Sequence, residues 1–417
     1  MTTEVRIAVI NTSGIGGTAF TPLFAGFHDG SFDVYNPGEA ASAGLEAVAE
    51  DGANGTIAAE LIALDSDGQT VNVVGTTPAG GPGPIEAGGR ASTTLEVDGA
   101  SNGFLSLASM VLPSNDAFFG TNSAVQLFSE KGRFEGAQTL IFEGSDVLDA
   151  GTEVNTELDA AFINQTAPNT GVDEGGVVTR HPGFNGSLGN PVGEGDQIIL
   201  GGTNAFGQAI DPVEADFTQP GAQIAAIHVN TVRRIEGGDR KDFIFGGRDD
   251  DIVHGNGGAD IILGRGGWDV IYGGDGKDFI SGGSGADELY GGKGADVIRG
   301  GSGSDLISGG KGKDVIFGGS GDDVISGGAG FDILRGGGGD DRFVFSEGSD
   351  VDHVRGFDRN GDDSVVLSFS GVDSFDDILG LAVDVRGGVE LDFGSGDVLV
   401  LGGIDVADLS QDDFVFV

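Results

Sequence analysis

Residues Gly237 to Val344 divide without remainder into twelve nonapeptides. The first reads GGDRKDFIF, the fifth GGDGKDFIS, the ninth GGKGKDVIF and the last GGGGDDRFV. An Asp fills the sixth position of every copy: Asp242, Asp251, Asp260, Asp269, Asp278, Asp287, Asp296, Asp305, Asp314, Asp323, Asp332 and Asp341. A large apolar residue fills every eighth position, from Ile244 and Val253 to Leu334 and Phe343. A fixed short period marks stacked units, none of which can bury a core alone.

Each repeat has two halves. GGxGx is a turn, because glycine enters φ > 0 without a Cβ clash. The last three residues are a short strand whose middle side chain points opposite to its neighbours. Two repeats make one coil, turn–strand–turn–strand. Twelve make about six coils which, stacked at ~4.8 Å, form a rod roughly 30 Å long. The eighth-position residues line its interior, and that core is one side chain thick. Stacked turns also set the Asp carboxylates in a row, beside peptide carbonyls freed by the turns. Such an all-oxygen donor set suits a hard cation, and six to eight oxygens describe calcium. Without an ion the row repels itself; with one, neighbouring coils are tied together.

This repeat resembles the RTX nonapeptide GGxGxDxUx of proteins secreted by Gram-negative bacteria, a known calcium-binding β-helix repeat. The resemblance implies a parallel β-roll with calcium bridging successive turns. Arg240 and Asp249 replace the fourth-position glycine in the first two repeats. Asn256 and Arg265 replace the second glycine in the next two. The first coil or two are therefore expected to bind calcium poorly or to act as a cap.

Among 417 residues there are 81 glycines, no cysteine and a net charge of −45. Disulfides and thiolate metal sites are excluded, so calcium is the available staple. The charge argues against nucleic acid and anionic membrane surfaces as partners. It is uneven: residues 237–345 hold 19 acidic and 11 basic side chains, and the rest of the chain 47 and 10. The N-terminus MTTEVRIAVINTSG has no basic segment followed by an apolar one, and no stretch reads as a transmembrane helix.

Residues 1 to 234 alternate apolar segments with Gly, Pro, Asn and Asp turns, the pattern of a β-sandwich. The clearest strands are Glu4 to Asn11, Ala91 to Asp98, Gly103 to Leu112, Thr139 to Phe142 and Gln223 to Val229, with the last strand ending at Val232. Ala41 to Glu50 and Ala58 to Leu64 are Ala-rich and read as short helices. FAGFHDGSFDVYNPGEAASAGLEAVAEDG (Phe24 to Gly52), FLSLASMVLPSNDAFFG (Phe104 to Gly120) and DAGTEVN (Asp149 to Asn155) resemble the spondin N-terminal domain. That resemblance implies a C2-like β-sandwich carrying calcium, with Asp116, Asp149 and Glu153 as ligands; the alternative is solvated loop acids. The family usually has Asp where Glu153 stands.

Catalytic patterns are sparse. GASNG (Gly99 to Gly103) fits GxSxG, but the following FLSLASMVLP reads as a strand, so Ser101 is expected in a hairpin turn and not on a nucleophile elbow. None of the five histidines forms HExxH, and no phosphate loop is present. His28 and His181 read as lone loop histidines, and Trp268 as an exposed turn residue.

Beyond the repeats, VRGFDRNGDDSVVLSF, VELDFGSGDVLVLGG and the terminal DDFVFV keep β character. Residues 346–417 resemble the C-terminal cap and type I secretion signal of RTX proteins, which implies a type I secretion partner. An open roll end exposes strand edges and needs a cover. Asp358, Asp362 and Asp363 lie in a turn that is either a further calcium site or solvated. The whole reads as an all-β chain: sandwich (1–234), β-roll (237–345) and cap (346–417). The expected function is a secreted, calcium-binding, non-enzymatic surface or matrix adhesion protein that folds outside the cell. A hydrolase with an unrecognised site and a self-assembling surface-layer protein are the rivals.

Overall fold

The computed structural model describes residues 2–13, 18–76, 82–112, 117–150, 178–180, 222–357 and 363–416, and the chain divides into two compact units, Met1–Thr231 and Val232–Val417. The first unit is a β-sandwich. One antiparallel sheet runs in the order Arg90–Asp98, Thr2–Asn11, Gln223–Glu236, Gln138–Glu143. The other includes Gln69–Val73, Leu23–His28, Phe104–Leu112, Ala117–Gly120 and Leu148–Asp149. Alternation along each strand sends one set of side chains inward. Val5, Ile7 and Val9 of the first sheet meet Phe27, Leu107 and Phe119 of the second in one buried cluster.

The outer face of the second sheet is also apolar, and two helices cover it. Ala43–Asp51 starts at Ser42, whose Oγ accepts the Leu45 N–H at 3.1 Å, and stops at Gly52 with φ +63°. Gly55–Leu64 follows, and Leu45, Val48, Ile57 and Leu61 pack on Phe24 and Phe118. Both helices fall close to the segments expected from alanine content.

Two expectations in this half are corrected. Gly99–Ser101 is not a hairpin turn, because the strands it joins belong to different sheets. It is an arch between layers, begun by the Asp98 side chain accepting the Ala100 N–H. The final strand does not end at Val232 either; it runs on to Glu236. Its last five residues pair in parallel with Asp250–His254, so the first rung of the roll precedes the first repeat.

In the second unit, each strand pairs in parallel with the strand eighteen residues later. Two repeats therefore make one turn, and odd and even repeats form separate sheets. Ile262, Ile280, Ile298 and Ile316 stack on one side, and Ile271, Leu289, Ile307 and Ile325 on the other, all fully buried. From the third repeat onward the second and fourth positions have φ > 0. Asn256 and Arg265 adopt it as well, at +69° and +82°, which Asn tolerates and Arg does at a cost.

The roll does not stop at Phe345. Leu334 pairs with Val354 and then Val354 with Leu401, while Phe343 pairs with Val365 and Val365 with Phe414. The antiparallel strands Ala382–Val385, Gly388–Gly394 and Asp397–Gly402 then cover one sheet's end. One apolar cluster runs from Ile244 to Phe414 through roll and cap.

Candidate metal centre

The sixth-position aspartates form two ladders. The backbone N–H of Asp242 donates to Asp260 Oδ1 one coil on, Asp260 to Asp278, and so on through Asp296, Asp314 and Asp332, at 2.7–2.8 Å. The second ladder joins Asp251, Asp269, Asp287, Asp305, Asp323 and Asp341 in the same way. Both run past the repeats. Asp332 donates to Asp352 Oδ1 at 3.2 Å, and Asp341 to Asp363 Oδ1 at 3.0 Å. Asp352 had escaped the nine-residue register because the spacing widens to twenty. The signal that survives there is the local D-x-U pattern, with Val354 and Val365 two residues after each Asp. Of the turn acids Asp358, Asp362 and Asp363, the first two lie outside the described residues, and Asp363 is buried at the foot of a ladder.

From Asp260 onward, one oxygen of each carboxylate is thus used to hold the coils together. The Oδ2 oxygen differs along the roll. In the first two repeats it is satisfied by protein: Gly238 N–H donates to Asp242 Oδ2 and Gly247 N–H to Asp251 Oδ2, both at 2.7 Å. The Arg233 guanidinium also grips Asp251 with two bonds of 2.7 and 3.0 Å. These are the repeats in which Arg240 and Asp249 stand at the fourth position, and neither of their turns takes the two positive φ angles. Further along, Oδ2 of Asp260, Asp278, Asp287, Asp296, Asp314 and Asp341 is buried and accepts no hydrogen bond. Each rests against the Cα of its own repeat's first glycine. A Cβ on Gly282 would lie 2.2 Å from Asp287 Oδ2, and one on Gly291 2.7 Å from Asp296 Oδ2.

An unsatisfied buried carboxylate is costly. Burial is the main reason these groups titrate high: Asp287 is pushed up to about 9, Asp314 and Asp341 to about 7, Asp296 to about 6 and Asp352 to about 8. Burial likewise raises Asp278 and Asp332. Turn carbonyls point along the same stack, and the Gly276 oxygen abuts the Cα of Gly294 in the next coil. Among the described residues no three acidic or histidine side chains converge on one point. The donor set is therefore carboxylate from the ladders plus peptide carbonyl, which fits calcium and not a soft metal. The ladder carboxylates and the turn carbonyls would hold it, and bound calcium would supply the positive charge that the orphaned oxygens lack.

A pH prediction follows for the metal-free protein. Carboxyl pKa values raised by folding mean that the folded roll binds more protons than the unfolded chain. Its stability is then present at acid pH and lost as pH rises through about 6 to 9. In chelator, the roll's β signal in circular dichroism is expected to fall with a steep slope from pH 5.5, where protons neutralise the row, to pH 8.5, where it is lost. In saturating calcium that slope is expected to shrink, because the ion replaces the proton; an equal slope in both would refute the assignment.

In the sandwich, Asp116 and Glu153 lie outside the described residues. The backbone of Asp149 pairs with Ala117, the residue after Asp116, across the strands Leu148–Asp149 and Ala117–Gly120. His181 also lies outside the described residues. His28 is not a loop residue: it ends the strand Leu23–His28 and is fully buried, and burial lowers its pKa. Its Nε2 sits 3.0 Å from Ser106 Oγ. This is not a nucleophile–base pair. Nδ1 accepts the Gly30 N–H at 3.0 Å, so Nε2 carries the proton and donates to the serine, which itself donates to the Phe32 carbonyl. Trp268 is half-buried, not exposed, and its backbone N–H donates to Asp250 Oδ1. No described helix is long and apolar enough to cross a membrane.

The second unit is thus a parallel β-roll with carboxylate ladders suited to calcium. The RTX calcium-binding nonapeptide repeat matches the chain four times, over residues 236–271, 263–298, 290–325 and 317–352. The Spondin_N family matches residues 15–173. The chain therefore carries an RTX calcium-binding β-roll and a Spondin_N domain, and neither is an enzyme family. No curated protein matches. Among solved structures, the chain is similar to the extracellular lipase LipA from Serratia marcescens, at 19% identity over 44% of this chain and 40% of the lipase, with a TM-score of 0.23.

Proposed function

We propose that this is a secreted, non-enzymatic surface or matrix protein that folds when it meets calcium outside the cell. The observation that carries the reading is the set of buried carboxylate oxygens with no protein donor on Asp260, Asp278, Asp287, Asp296, Asp314 and Asp341. Cytosolic calcium leaves sites of extracellular affinity, with Kd of ~10⁻⁴–10⁻³ M, unfilled. The acidic roll and cap then remain unfolded and enter a type I transporter, with residues 346–417 as the export signal. Outside, calcium binding stabilises the fold by mass action. The first coil serves as a lid rather than an ion site, since Gly238, Gly247 and Arg233 already satisfy its acids.

In this reading residues 1–231 form the contact module, with calcium held by Asp116, Asp149 and Glu153. The pairing of Asp149 with Ala117 supports that grouping. Substituting all three by alanine is expected to lower the calcium count by one ion per chain in equilibrium dialysis, and to abolish retention of labelled protein on producing cells. Unchanged retention would count against the contact role. Turnover of ester, peptide or glycan substrates by the intact protein would replace it with the hydrolase reading, which the inverted His28–Ser106 proton arrangement does not favour.

A further inference from the structure

A net charge of −45 hides a surface of opposite character. Residues at the seventh and ninth positions flank the buried eighth residue, and in the odd repeats these and the fifth position all reach solvent. In the six odd repeats these eighteen positions contain no Asp or Glu. They hold Lys241, Lys277, Lys313, Arg299 and Arg335, and Arg265 stands in an adjoining turn; all six are exposed. The same positions of the even repeats hold Glu288, Asp322 and Asp340, with Asp250 buried, against the single cation Arg342. The pairing of repeat with alternate repeat collects the cations on one sheet.

Between the cations the face is apolar. Phe243 is 61% exposed and Phe245 47%, an unusual exposure for such side chains. The two characters interleave. Lys241 Nζ lies 5.1 Å from the Phe243 ring centre, Arg265 sits over Phe245 at 5.3 Å, and Arg299 lies between Phe279 and Phe317 at 5.5 and 5.7 Å. A guanidinium held against a ring keeps its N–H edge free for a planar anion. The cations also repeat. Lys241, Lys277 and Lys313 recur every 36 residues, as do Arg299 and Arg335. That is two coils, or ~9.6 Å along a straight axis.

We propose that this face binds a linear acidic polysaccharide lying along the roll axis. An extended chain of acidic sugars presents one carboxylate or sulfate per disaccharide on a given side, a repeat of the same order. Its C–H faces suit the aliphatic and aromatic side chains between the cations. A nucleic-acid strand stacks its bases on open ring faces, and here a cation competes for one face of each of Phe243, Phe245, Phe279 and Phe317. The acidity of the remaining molecule does not cancel the local field, because screening limits its reach to ~8 Å at physiological salt. The inference needs only the calcium-folded roll, and not the contact role assigned to residues 1–231.

The test uses the intact protein in calcium on immobilised heparin and hyaluronan, with dextran, phosphatidylglycerol vesicles and a single-stranded oligonucleotide as comparisons. Binding to both acidic polysaccharides above all three comparisons is expected. Lys277→Gln/Arg299→Gln/Arg335→Gln is expected to weaken it at least tenfold while the calcium-induced circular dichroism stays unchanged. Lys293→Gln/Lys311→Gln removes third-position cations outside this face and is expected to leave binding within twofold. The proposal is overturned if the native protein does not bind, if dextran, vesicles or oligonucleotide bind as well, or if both variants lose affinity equally. An intact calcium response in a protein that binds no polysaccharide would refute this inference and leave the proposed function standing.

Discussion

At pH 8.5, excess chelator is expected to remove the β signal of residues 232–416 while leaving that of the sandwich. The two units bury apolar surface very differently. The sandwich packs two sheets and two helices around Phe24, Phe27, Phe118 and Phe119. The roll adds two aliphatic side chains per eighteen residues, as with Ile262 and Ile271. That thin core must offset the ordering of eighteen backbones at ~1–2 kcal/mol each, and also the desolvated, mutually repelling carboxylates. A bound ion removes the second burden and contributes ~2.7 kcal/mol per site when calcium is a hundredfold above Kd. Several sites sharing ladder residues make the transition steep. Circular dichroism during a calcium titration is expected to show a cooperative gain of β structure and a melting temperature that rises with calcium. A roll that keeps its full signal and melting temperature in excess chelator would refute calcium-dependent folding.

The second large effect concerns one motif position with two structural meanings. Gly238 and Gly274 both stand second in their repeats. At Gly274 φ is +105°, and a Cβ would sit 2.0 Å from the Asn256 carbonyl oxygen of the coil below. At Gly238 φ is not positive, and the nearest atom to a Cβ is Asp242 Oδ2 at 3.5 Å. Gly274→Ala combines backbone strain of ~1–3 kcal/mol with a collision between backbones. The cost is expected to be about 3 kcal/mol or more, with the stack broken at that coil. Gly238→Ala is expected to stay within about 0.5 kcal/mol. Calcium-saturated thermal denaturation of the two variants checks this, and equal effects would show that the turn geometry is misassigned.

Much of the ladder was legible in the sequence, because an Asp recurs at the sixth position of every nine-residue copy. Its end was not. Asp352 and Asp363 join it at spacings of twenty and twenty-two, where a longer turn intervenes but the hydrogen bond to the preceding Asp persists. Its beginning was half legible. Arg240 and Asp249 announce altered first turns, but nothing in their letters shows that Gly238 and Gly247 turn inward onto the acids. In the sandwich, strand positions followed from alternation, whereas the arch at Gly99–Ser101 did not. A turn of polar residues looks the same whether it joins strands of one sheet or of two.

The chain's periodicity by itself determined the coil, its buried stack and its taste for a hard cation, because a nine-residue period acts locally and repeats its own constraints. Only the tertiary structure decided which carboxylate oxygens are left over. That depends on whether a donor such as Arg233, eighteen residues before Asp251, arrives at the same coil. It also showed how the odd-repeat cations gather on one exposed face beside apolar rings, since pairing at eighteen residues separates neighbours in sequence and joins their alternates in space.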